Sequence, residues 1–90
     1  MLREMTQILA DFDFRPHPAG FQATASFPNG WGVSIIPERG MSTYEVAVLR
    51  DGKISYESGL TDDVFRHLSV DAVHRVVMRA RNLKAAIAVS

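Results

Sequence analysis

Three histidines, His17, His67 and His74, are the side chains best able to move a proton near neutral pH. His67 follows Asp63 by four residues, and His74 follows Asp71 by three. Either spacing sets an acid and an imidazole on one helix face, where they could pair. Catalysis or metal binding would need a nearby nucleophile or further ligands at fitting intervals. No such motif surrounds these histidines, so surface pairing or capping is the simpler reading. Asp62 and Asp63 could act as paired carboxylates for acid–base work or for Mg²⁺. Directly after Thr61 they read more simply as first-turn helix acids, favoured by the dipole. Pro28-Asn29-Gly30-Trp31-Gly32 is glycine-rich but lacks phosphate-loop spacing, and it leads into a strand pattern. The residues thus offer no catalytic, cofactor-binding or metal site, and the expectation is a protein that is not an enzyme.

Other residues are suited to binding. Arg75, Arg79, Arg81 and Lys84, with Met78 and Asn82, make a basic C-terminal surface. It is either a solvated face or a docking surface for an acidic protein or nucleic acid. No aromatic residue is interleaved, which tells against base stacking. Tyr44, Val46 and Val48 alternate along one side of a strand. Were that side to face away from the helices, it would be an apolar patch for a partner or a homodimer. Sheet-edge pairing is the other route to a homodimer. The candidate partner-binding residues are therefore Tyr44, Val46, Val48, Arg75, Met78, Arg79 and Asn82.

The elements that must position these residues can be read from period and punctuation. Leu2, Met5, Ile8, Leu9 and Phe12 recur at helical spacing and predict a first helix over about residues 2–12. Arg15-Pro16-His17-Pro18-Ala19-Gly20 reads as an extended connector. Phe21, Ala23, Ala25 and Phe27 alternate with polar residues, as do Trp31, Val33 and Ile35 after the turn. A three-residue Pro28-Asn29-Gly30 loop, with Gly30 left-handed, pairs Ala25 with Val33 and Ala23 with Ile35. Every apolar residue then falls on one face, whereas a two-residue Asn29-Gly30 loop would mix the faces. Residues 37–42 form a loop, and residues 43–50 a strand apolar on both faces, hence central. Asp51-Gly52 is a type I′ turn signal pairing Leu49 with Ile54 and Ala47 with Tyr56, in a strand over 53–57. Thr61 should cap a short helix over 62–68, and Ser69 a long one over 70–86. Val73, Val76, Val77, Ala80, Leu83 and Ile87 would be its buried face.

The expected fold class is α+β: an N-terminal helix, a four-stranded antiparallel sheet of two hairpins in meander order, a short helix and a long C-terminal helix. The helices would pack on one sheet face.

Composition agrees with one globular domain spanning 1–90. The chain has 90 residues, 47% of them hydrophobic and 22% charged. Ten basic and ten acidic residues cancel, which argues against a dedicated nucleic-acid binder. The absence of cysteine excludes thiol chemistry and disulfides and favours a reducing compartment. No stretch has the length and apolarity of a membrane span or a signal peptide, so a cytoplasmic protein is expected.

Three segments together carry a resemblance: Phe27-Pro28-Asn29-Gly30-Trp31-Gly32-Val33-Ser34, Tyr44-Glu45-Val46-Ala47-Val48-Leu49-Arg50-Asp51-Gly52-Lys53, and Leu60-Thr61-Asp62-Asp63-Val64. Over residues 27–68 the chain resembles a family of small phage and prophage proteins of unassigned function. The shared motifs are two turns, a strand and a cap. The resemblance implies a phage accessory protein in the bacterial cytoplasm that binds a host protein. Counter-defence inhibitors such as anti-CRISPR proteins, acting by steric occlusion, are the best-known such class. A nucleic-acid-binding domain using the basic C-terminal helix is the alternative, by analogy with the helix–sheet–helix layout of some double-stranded RNA binders.

Overall fold

Apolar side chains with a period of two place residues on alternate faces of a pleated strand. In chain order the strands are β1 (Asp13–His17), β2 (Gly20–Ser26), β3 (Trp31–Pro37), β4 (Tyr44–Arg50), β5 (Lys53–Ile54) and β6 (Phe65–Leu68). Helix α1 (Val70–Arg81) follows. The computed structural model describes residues 11–54 and 64–84. The expected first helix, but for its last two residues, lies outside them. So do Thr61, Asp62 and Asp63, most of the strand expected after Lys53, and the last residues of the expected long helix.

The sheet is antiparallel, in the order β1-β2-β3-β4-β5, and β6 also pairs with β4. The β2–β3 hairpin has the expected register, Ala23 opposite Ile35 and Ala25 opposite Val33. Its three-residue loop closes by Gly30 N–H donating to the Phe27 carbonyl at 3.0 Å and Phe27 N–H donating to the Trp31 carbonyl at 2.7 Å. Gly30 has φ +86°, the left-handed region that glycine enters without steric cost. The Asp51-Gly52 turn likewise has both residues at positive φ and sets Leu49 opposite Ile54.

Three expectations are corrected. The connector expected at residues 15–20 holds most of β1 and a tight turn, with Pro16 opposite Phe21. Pro16 is tolerated because β1 lies at the end of the strand order, where a missing N–H breaks no ladder. Residues 65–68, expected in a short helix, form β6 instead. Tyr44 pairs with Leu68 and Val46 with Phe65, with a register shift between them. His67 takes up that shift at φ +59°. The far edge of β4 offers backbone partners to this segment, and Phe65 and Leu68 pack on the core. The sheet among the described residues is thus six-stranded, with β4 central as expected and β5 and β6 sharing its outer edge. Finally, α1 ends at Arg81, short of the expected 86.

The core forms where α1 lies across β3, β4 and β6. Val73, Val76, Val77 and Ala80 meet Ala23, Val33, Ile35, Tyr44 and Val46 in one buried cluster. Burying each valine removes enough apolar surface to stabilise the fold by roughly 1.5 kcal/mol or more. Tyr44, Val46 and Val48 are therefore not an exposed patch: their relative exposures are 5%, 0% and 2%. Val46 faces Ile35 and Val48 faces Val33 across the β3–β4 ladder, which places all of them on the face that α1 covers.

Candidate interaction surface

The outer side of α1 is set by its inner side. With Val73, Val76, Val77 and Ala80 buried, Arg75, Met78, Arg79 and Asn82 fall at intervals of three and four on the solvent face. The helix begins cleanly. The Ser69 hydroxyl accepts from the Ala72 N–H at 3.2 Å, as expected of the cap. Asp71 lies in the first turn, and Arg79 and Arg81 in the last, each charge matched to the nearer end of the dipole.

The helix C-terminus is held by residues distant in sequence. Asn29 Nδ2 donates to the carbonyls of Ala80 at 2.9 Å, Arg81 at 3.1 Å and Leu83 at 3.1 Å. Its Oδ1 accepts from the Trp31 N–H at 3.0 Å. The Trp31 indole N–H donates to the Lys84 carbonyl at 2.9 Å. The last turn of a helix leaves such carbonyls without intrahelical donors, and the β2–β3 loop supplies them. The Arg81 guanidinium lies 5.1 Å from the Phe27 ring centre, and that of Arg50 lies 5.9 Å from the Trp31 ring. Sequence reasoning saw only a turn residue in Asn29 and a strand residue in Trp31. The single hint was an indole N–H beside a turn amide, both of which need partners when buried.

Along the outer stripe, Arg75 and Arg79 make no ion pair with any described residue. Asn82 Nδ2 donates back to the Met78 carbonyl at 2.9 Å. Met78, on the turn between Arg75 and Arg79 in sequence, keeps 38% of its surface exposed. Four of the seven candidate partner-binding residues therefore share one accessible face, and Tyr44, Val46 and Val48 lie beneath it.

The histidines occupy different settings from those their spacing implied. His67 meets Glu38, while Asp63, the acid its spacing singled out, lies outside the described residues. Glu38 Oε1 accepts from the His67 backbone N–H at 2.8 Å and from the Thr43 hydroxyl at 2.8 Å, and lies 3.2 Å from His67 Nδ1. Desolvation acts to raise the Glu38 pKa, but the Thr43 hydrogen bond, the His67 hydrogen bonds and the imidazole charge outweigh it. The carboxyl accordingly sits below its ordinary value. A hydroxyl relay needs the imidazole between hydroxyl and carboxylate. Here the carboxylate stands between the other two, so the cluster lacks that order and ties the β3–β4 loop to β6. His74 is exposed on α1, and no hydrogen bond or ion pair joins it to Asp71 among the described residues. His17 Nδ1 accepts from the Ala19 N–H at 3.0 Å and stabilises the β1–β2 turn.

On the sheet face away from α1, Gln22, Ser34, Ile36, Glu45 and Ala47 help line a concavity of about 170 Å³. Gln22 Nε2 donates to Ser34 Oγ across it at 2.9 Å. Among the described residues no group of three or more His, Asp or Glu side chains could hold a metal ion. No described helix is long and apolar enough to cross a membrane. Comparison with protein-family models, with curated proteins and with solved structures finds no match.

Proposed function

We propose that this domain is a non-enzymatic binding module that docks the outer stripe of α1 against an acidic protein surface. What carries the reading is the pair Arg75 and Arg79. Two arginines one helical turn apart, without ion-pair partners among the described residues, share the exposed face of the helix with an exposed methionine, and the helix is pinned at its far end. Arginine and methionine are both enriched at protein interfaces, the first for forked contacts with carboxylates and the second for adaptable apolar contact. The partner would be a host protein, and the module a phage or prophage accessory acting by occlusion. That part of the proposal rests on the resemblance over residues 27–68.

Reversing both charges with Arg75→Glu and Arg79→Glu tests it. Both side chains are exposed, so the variant should keep the wild-type circular dichroism, with a slightly lower melting midpoint because a glutamate at position 79 opposes the helix dipole. As baits in nuclease-treated host lysate, wild type should retain a protein that the variant loses. Identical retention by both baits would end the reading. The same arginines, without ion-pair partners among the described residues, favour a second one, contact with a nucleic-acid backbone. That reading requires binding to duplex RNA or DNA that weakens steeply as salt rises and is lost in the double variant.

A further inference from the structure

Asn29 is followed by Gly30, the pair in which an asparagine side chain is least shielded from its neighbour's backbone nitrogen. Its carboxamide can react without any enzyme. The Gly30 backbone nitrogen, on losing its proton, attacks Asn29 Cγ. The new N–Cγ bond closes a five-membered imide as the Cγ–Nδ2 bond breaks, and the departing nitrogen leaves as ammonia. Water then opens the imide to aspartate or isoaspartate. No oxidant or reductant is involved.

In the folded domain both reacting groups are occupied. Gly30 N–H donates to the Phe27 carbonyl at 3.0 Å, and Asn29 Nδ2 donates to three carbonyls at the end of α1. Oδ1 is held by the Trp31 N–H. Attack requires the carboxamide to leave those carbonyls and swing toward Gly30. The product would then be wrong for the site. A carboxylate has no N–H to give to Ala80, Arg81 and Leu83, and it would bring negative charge to the negative end of the helix dipole. Arg81 and Lys84 on the same turn, and Arg50 beside Trp31, would soften that repulsion but cannot donate from inside the loop as Nδ2 does.

We propose that Asn29-Gly30 is a latent deamidation site, held shut by its clamp on α1, whose conversion releases the last turn of the helix. The reaction acts as a one-way latch: a chain whose β2–β3 loop opens is modified and no longer recloses with the same hydrogen bonds. That turn carries Arg79 and Asn82, so the docking face would loosen with it, although the latch does not depend on the docking proposal.

The test is to hold the wild-type protein at mildly alkaline pH, with and without denaturing urea, and to follow residue 29 by peptide mass mapping. Conversion should be roughly tenfold or more slower in the folded domain, as expected of a site that reacts only from an opened state. Trp31→Phe, which removes the indole bond to Lys84 but leaves the Asn-Gly pair, should speed conversion in native buffer. Asn29→Asp should lower the melting midpoint. Equal wild-type rates with and without urea, or an unchanged rate in Trp31→Phe, would refute the clamp. An Asn29→Asp protein melting at the wild-type midpoint would refute the release of the helix. The wild-type comparison needs no variant, so it decides the shielding even if Asn29→Asp does not fold.

Discussion

Glycine 32 shows how much one residue can be constrained without carrying a side chain. It lies in β3 opposite Ser26, on the face away from α1, and is itself buried. A Cβ at this position would collide with the Ala25 carbonyl oxygen and crowd the Ser26 Cα at 3.3 Å. Both obstacles are backbone in the neighbouring strand, so no side-chain rotation relieves them. Gly32→Ala should therefore cost about 1–3 kcal/mol, as overpacking in a well-filled interior does. Urea denaturation monitored by Trp31 fluorescence would measure it. A substitution without effect would mean that β2 and β3 can move apart freely at this point. His67 illustrates the opposite constraint. It carries a side chain at positive φ, where most residues are disfavoured, and the Glu38 carboxylate takes up the N–H that the register shift turns out of the ladder.

Among the elements, α1 is the one whose ends are most fully specified. At its start Ser69 satisfies an orphan N–H, and at its finish Asn29 and Trp31 reach in from the β2–β3 loop. The two ends differ in kind. The N-terminal cap is local, joining residues three apart, whereas the C-terminal clamp exists only once the sheet is built. Ser69→Ala should lower stability by about 1 kcal/mol, with loss of hydrogen-exchange protection concentrated in the first turn. Uniform loss along the whole helix would show instead that the cap and the clamp act as one cooperative unit. The strands divide similarly. β2, β3 and β4 follow from alternation and turn type, but β6 has little alternation and depends on the open edge of β4.

At the scale of the whole molecule, Glu38 links the β3–β4 loop to β6 and hence makes stability depend on pH. Its carboxyl is held below the ordinary value of 4.5 because the native partners favour the charged form. A carboxyl whose native pKa is depressed contributes stability that is present above the unfolded value and lost as pH falls through the folded one. The melting midpoint should thus decline below about pH 4.5, and Glu38→Gln should flatten that part of the profile while leaving the neutral region less stable. A variant with the wild-type acid profile would mean that other carboxyls govern it. The neutral overall charge also shapes the molecule's encounters: with ten charges of each sign, attraction to an acidic partner must come from the local arrangement on α1.

The sequence alone determined the features governed by neighbours in the chain. Gly30, Asp51 and Gly52 take the positive φ their turns require, and Ser69 caps the helix. The register of Ala23 on Ile35 and of Leu49 on Ile54 follows from turn length and from matching apolar faces. The solvent stripe Arg75, Met78, Arg79 and Asn82 was legible for the same reason, since a helical period fixes which residues share a side. Tertiary structure decided everything that joins distant segments. β4 is apolar on both faces, so its pattern could not say which of them the helix would cover, and Tyr44, Val46 and Val48 went inward. The pairing of Tyr44 with Leu68 in β6, the meeting of Glu38 with His67 and the grip of Asn29 on Ala80 bring together residues 24, 29 and 51 positions apart. Such contacts depend on edges and orphan backbone groups that do not exist until the sheet has formed, and no local spacing encodes them.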